Sequence, residues 1–168
     1  DGFRIDVAHG LMKDKLNVDH PNPQELSDAL RLDIAMDPGH RSEVLSTVPF
    51  FNRPQVHEIY RSWRKIFDSY EREIVSVAEV WVHPPSEAAK YVRPDELNQV
   101  FNFDLLTTGF EAAALFTSIS EAFEILKPVG ALPTWALSNH DSPRVASRLG
   151  VGQSQALFIA LLALPGSL

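Results

Sequence analysis

Two carboxylates stand at the ends of apolar runs in this chain. Asp6 closes Phe3-Arg4-Ile5-Asp6-Val7, and Glu79 follows the nearly continuous apolar run Ile74 to Ala78. If both runs are parallel strands, both carboxylates project from one end of a sheet into a common cavity mouth. A carboxylate pair about 5 to 5.5 Å apart can break a glycosidic bond with retention. One group attacks the anomeric carbon. The other gives a proton to the leaving oxygen and later takes one from water. Arg4 lies two residues before Asp6, so strand alternation sends its guanidinium off the same face, where it would keep Asp6 ionised and aimed. Glu79 sits between Val77-Ala78 and Val80-Trp81, an apolar setting that raises a carboxyl's pKa toward that of a working acid. Asp141 adds a third carboxylate and His140 a donor. Both suit sugar hydroxyls and the positive charge that develops in an oxocarbenium-like transition state. Each of these residues alone is ordinary, but their coincidence at three strand ends argues for a site.

The elements that must hold them follow a strand–loop–helix rhythm. Strands are expected at about Phe3–Val7, Ile74–Ala78, Val100–Asp104 and Thr134–Leu137, the last running into Ser138-Asn139-His140-Asp141. Between the first two lies a long stretch from His9 to Asn52, broken by Pro21, Pro23, Pro38, Gly39 and Pro49, with a short helix expected at Pro23–Leu30. An amphipathic helix is predicted from Pro54 to about Ser69, with Val56, Ile59, Trp63, Ile66 and Phe67 as its buried stripe. Further helices are expected at Ser86–Tyr91, Phe110–Leu126 and Gln153–Ala163. Four βα units in series imply a parallel sheet with right-handed crossovers. Polar residues gather at the strand C-termini, and no Gly-rich phosphate turn follows the first strand. That favours a (β/α)8 barrel over an open doubly wound sheet. Such a barrel needs about 250 residues, so the fold class expected here is α/β, the C-terminal half of a TIM barrel. Residues 1–168 are read as one partial catalytic domain.

Composition narrows the function classes. The 168 residues carry 15 Lys+Arg against 22 Asp+Glu, a net charge of -7, which argues against a nucleic-acid partner. The most apolar stretch, Ala156–Leu164, is far short of the roughly 20 residues of a membrane span. With no cysteine, disulfides and thiolate metal sites are excluded, and a cytoplasmic location is expected. The chain opens directly on a strand and stops just after a helix, so it is expected to be an internal piece of a longer protein. Alone, it is expected to be poorly soluble and inactive.

Asp1-Gly2-Phe3-Arg4-Ile5-Asp6, Val77-Ala78-Glu79-Val80-Trp81 and Ser138-Asn139-His140-Asp141 resemble, in order, three signature segments of the α-amylase family of glycoside hydrolases. Finer stretches resemble its α-glucosidase (oligo-1,6-glucosidase-like) branch: Pro49-Phe50-Phe51-Asn52-Arg53-Pro54, Val56 through Arg64, and Phe101-Asn102-Phe103-Asp104. The resemblance implies barrel strands 4 to 7 with the approach to strand 8. It implies a nucleophile at Asp6, a general acid/base at Glu79 and a transition-state-stabilising carboxylate at Asp141. Arg4 would orient the nucleophile, His140 would bind hydroxyls of the attacked ring, and Arg144 would lie near the substrate, although Ser142-Pro143 departs from the usual pattern. The implied reaction is retaining hydrolysis of α-glucosides such as malto-oligosaccharides or sucrose. Transglycosylation by the same carboxylates (trehalose- or isomaltulose-forming) and a non-catalytic sugar-binding relative are the alternatives. No cofactor is implied within this chain; calcium, where relatives bind it, belongs to a domain upstream. Val7, directly after Asp6, lies where linkage preference is partly set in relatives.

The other histidines, His20, His40, His57 and His83, lack metal-ligand spacing, and Asp33, Asp37 and His40 read as turn residues. Trp81 and Phe103 suit a core or a sugar-stacking role equally. His9 is not assigned to the site.

Overall fold

In a computed structural model of the chain, residues 1–13, 22–31 and 36–168 are described, with the side chain of Pro38 left aside. Those residues form a parallel sheet of four strands in the order β1 (Gly2–Ile5), β2 (Val75–Ala78), β3 (Gln99–Asn102) and β4 (Thr134–Trp135). Each strand pairs with its sequence neighbour, the arrangement expected from serial βα units. The expected strands are all present but shorter, and each ends before the polar residues that follow it. Asp6, Asp104 and Asp141 therefore lie in the loops beyond the strands. Gly2 lets the first two strands close up, since a Cβ there would collide with the Val75 carbonyl. Past β4, Ser167 makes an isolated parallel bridge to Thr134.

Helices cover the sheet: α1 (Pro23–Leu30), α2 (Pro38–Ser46), α3 (Val56–Phe67), α4 (Ala112–Leu126), α5 (Val145–Leu149) and α6 (Val151–Leu162), with a 3-10 segment at Pro85–Val92. The expected helix at Pro23–Leu30 is present as α1. The next one, α2, was not expected, because Pro38-Gly39 reads as a break. Yet Asp37 accepts from the His40 N–H at 2.9 Å and Pro38 takes the first turn, where its missing N–H is harmless. Asn22 caps α1 in the same way, accepting from the Glu25 N–H at 3.2 Å. The short α5 was also unforeseen, and the segment expected at Ser86–Tyr91 winds as 3-10 rather than α-helix.

The stripe expected on α3 needs correcting. Val56, His57 and Tyr60 are its buried residues, whereas Ile66 is exposed. The polar pair faces inward because both side chains find partners. Tyr60 donates to the Ala8 carbonyl, and His57 Nδ1 lies 2.8 Å from the fully buried Glu96. One hydrophobic cluster joins Ile5, Ala78, Val80 and Val100 to Val56, Tyr60 and Tyr91 under β1–β3. A second gathers Leu105, Ala122, Trp135, Leu157 and Leu161 where α4 and α6 meet β4. No helix among the described residues is long and apolar enough to cross a membrane.

Candidate active site

The β1–β2 register places Ile5 opposite Ala78. The ladder continues beyond the strands, with the Glu79 N–H donating to the Ile5 carbonyl and the Ala8 N–H to the Glu79 carbonyl, both at 2.9 Å. Asp6 and Glu79 thus leave the sheet side by side. Arg4 spans them: Nη1 donates to Asp6 Oδ1 at 2.6 Å and Nη2 to Glu79 Oε2 at 2.5 Å. Two anionic groups sit close together on one rigid cationic fork.

Their environments differ. Asp6 is exposed, whereas Glu79 is 3% exposed. A hydrogen bond with Glu79, and then the guanidinium of Arg4, hold Asp6 below the usual carboxylate range. Burial pushes Glu79 up, opposed by the indole N–H of Trp81, which donates to Oε1 at 2.9 Å. One carboxyl is therefore kept ionised and the other is biased toward its acid form, the split that assigns different tasks to a pair of like groups. The sequence anticipated both directions, Asp6 from the spacing of Arg4 and Glu79 from its apolar flanks.

The loop after β4 supplies the remaining expected residues. Asp141 is exposed; its N–H binds Asn139 Oδ1 at 3.1 Å, and its carboxylate lies 3.5 Å from His140 Nε2. His140 lies within electrostatic reach of Asp6, whose ionised form it favours. Arg144 donates to the Asn139 carbonyl at 3.3 Å, bracing the loop that carries His140 and Asp141. Asp104 is occupied elsewhere: it accepts from Asn102 Nδ2 at 3.0 Å and opens a 3-10 turn, Asp104–Leu106.

Two residues that sequence reasoning left open lie next to Glu79. Trp81 binds its carboxylate and stacks on Phe103, ring centroids 4.1 Å apart and 15° from parallel. His9 is buried and its Nδ1 accepts the Trp81 backbone N–H at 3.2 Å. Burial pushes its imidazole down to about 4, so it is neutral at pH 7. The spacing Glu79-x-Trp81 was the available signal for Trp81, because alternation returns its side chain to the face of Glu79. Nothing local marked His9, which is brought in by the fold of the turn Ala8–Gly10. A cavity of about 420 Å³ opens beyond Trp81, touching Arg41, His83, Asn102, Phe103 and Asp104; Asp6, Glu79, His140 and Asp141 do not line it.

Among the described residues no group of three or more Asp, Glu or His is placed to hold a metal ion. His40 pairs with Glu25 at 2.9 Å and Asp37 caps α2. His20 and Asp33 lie outside the described residues.

The chain is 28% identical to a salivary alpha-glucosidase of Anopheles gambiae over 98% of its length, and 27% identical to maltase 1 of Drosophila virilis over 98%. It spans 28% and 26% of those two proteins. Its backbone superposes on an alpha-glucosyl transfer enzyme, XgtA, with a TM-score of 0.70 and 24% identity, over 99% of this chain and 31% of that one. The family model for the alpha amylase catalytic domain, a TIM barrel, matches residues 1–168, and the chain belongs to that family of glycoside hydrolases.

Proposed function

We propose that the chain is the carboxylate-bearing part of a retaining α-glucosidase, its four strands being barrel strands 4 to 7 with the approach to strand 8. The observation that carries this is the single Arg4 fork holding exposed, ionised Asp6 and buried, acid-biased Glu79 together. Asp6 attacks the anomeric carbon of an α-glucoside and forms a β-glucosyl ester, while Glu79 protonates the departing oxygen. Glu79, now a carboxylate, takes a proton from water, which attacks the anomeric carbon, displacing the Asp6 carboxylate and releasing α-glucose. Asp141 and His140 hold the ring hydroxyls as positive charge builds at the anomeric centre, and Arg144 keeps their loop in place. The maltase and α-glucosidase relatives support malto-oligosaccharides or related di- and oligosaccharides as the substrate class. A sugar hydroxyl replacing water would give transfer by the same intermediate, and product analysis separates the two: glucose alone, or isomeric disaccharides. The expected cytoplasmic location stands as a proposal on the cysteine count alone; two of the relatives are salivary.

The test is azide rescue in the full-length enzyme. In Glu79→Ala, an activated glucoside still forms the glucosyl-enzyme, and azide intercepts it to give the α-azide through two inversions. In Asp6→Ala, azide fills the vacated space and displaces the leaving group once, giving the β-azide. Proton NMR reads the anomeric configuration. A β-azide from the Glu79 variant with an α-azide from the Asp6 variant would reverse the roles. β-Glucose as the first product of the unmodified enzyme would overturn the retaining mechanism.

A further inference from the structure

We propose that Trp81 is a positioning residue for Glu79, anchored by His9 and Phe103, whose indole N–H fixes the orientation of the Glu79 carboxyl. This rests on the reading of Glu79 as acid/base. Indole nitrogen is a donor only. Bound to Oε1 at 2.9 Å, it pins that oxygen while Arg4 Nη2, also a donor only, holds Oε2 at 2.5 Å, so the two donors together fix the plane of the carboxyl. So held, Glu79 remains within hydrogen-bonding reach of Asp6.

The indole is held from two directions. Its face stacks on Phe103, which is 8% exposed and itself stacks on Phe101 with centroids 5.6 Å apart. Its backbone N–H is gripped by His9 Nδ1 at 3.2 Å, and His9 packs edge-on against Phe51 at 4.9 Å. With Nδ1 accepting, the ring proton of neutral His9 is on Nε2. His9 is fixed in turn through its carbonyl, which accepts the Asn52 N–H at 2.9 Å. A side chain stacked and tethered this way loses little freedom when it binds Glu79, which is what a fixed carboxyl orientation requires. The charged groups acting on Glu79 are Arg4 and Asp6 across from β1, and neither depends on Trp81 for its place.

The test uses Trp81→Phe in the full-length enzyme, which keeps the stack and loses the N–H. Benzothienylalanine at position 81, isosteric with tryptophan and carrying sulfur for N–H, serves as a second variant should the phenylalanine pack poorly. Trp81 favours the ionised form of Glu79, so its loss moves the alkaline limb of kcat/KM upward, by about one pH unit. The kcat/KM for a disaccharide, which needs the proton, falls ~10-fold more than that for a dinitrophenyl glucoside, which does not; this is part of the roughly 10²- to 10⁴-fold worth of a placed proton donor. Equal losses on both substrates with an unmoved alkaline limb would leave Trp81 a packing residue and overturn the proposal. If Glu79→Ala gives α-azide while both Trp81 variants behave in that way, this proposal alone fails. If Glu79→Ala gives no α-azide, the acid/base reading itself fails.

Discussion

Removing the carboxylate of Glu96 should destabilise the domain by about 3 kcal/mol, and the number follows from what would be left behind. Glu96 is fully buried and joins α3 to the segment after the 3-10 turn. Its Oε2 lies 2.8 Å from His57 Nδ1; its Oε1 receives Arg61 at 3.0 Å and Arg93 at 2.6 Å. Breaking a buried ion pair from one side costs about 3–5 kcal/mol when the surviving charges stay buried. Here Arg61 and Arg93 are about a third exposed and can turn to water, so the low end applies; His57, 6% exposed, is stranded. Glu96→Gln keeps the shape. Its amide oxygen can face the two arginines while its NH2 donates to His57 Nδ1, so it should lose about 1 kcal/mol. The assay is urea unfolding of the full-length enzyme followed by tryptophan fluorescence, since Trp63 packs on Tyr60 within the same helix. Glu96→Ala with a midpoint and slope matching the unmodified enzyme, or Glu96→Gln worse than Glu96→Ala, would refute this account of the network.

Three further outcomes are expected. His9 ordinarily titrates near 6.5 and is pushed down to about 4, so its stabilising contribution is full above pH 6.5 and is lost as pH falls toward 4, ~3 kcal/mol in all; the pH dependence of the unfolding free energy should flatten over that window in His9→Asn. Val7, in the left-handed region at φ 43° directly after Asp6, is a β-branched residue where glycine is at ease, so Val7→Gly should raise the melting temperature by about 1 kcal/mol's worth of stability, and a lower melting temperature would show the turn is unstrained. Expressed alone, the 168 residues should bind a hydrophobic dye, melt without cooperativity and leave a nitrophenyl α-glucoside intact, because Phe116, Val151, Ile159 and Leu162 are more than 60% exposed; a cooperative melt with turnover would contradict this.

Much of this protein is legible in one dimension, and the reasons are local. The period-two relation of Arg4 to Asp6 predicts their contact because both side chains leave one strand on one face. The apolar flanks of Glu79 predict its raised pKa because neighbours on a buried parallel strand become its walls. Strand order followed from serial βα units. The capping of α1 and α2 was also written locally, as Asn22-Pro23 and Asp37-Pro38, although Pro38 reads as a break until the helix behind it is seen.

What only the tertiary structure decided is everything that joins distant segments. That one guanidinium serves Asp6 and Glu79 together depends on the β1–β2 register, which no spacing between residues 4 and 79 encodes. In sequence His57 shows only a lack of metal-ligand spacing; α3 packing over the segment after the 3-10 turn pairs it with Glu96 and shuts both from water. Trp81 and Phe103 were equally core or sugar platform in sequence; stacking on each other, with the indole N–H turned to Glu79, ties them to the acid. His9 entered for the same reason. A hydrogen bond is specified by where two atoms lie, and for atoms 72 residues apart only the packed chain sets that distance.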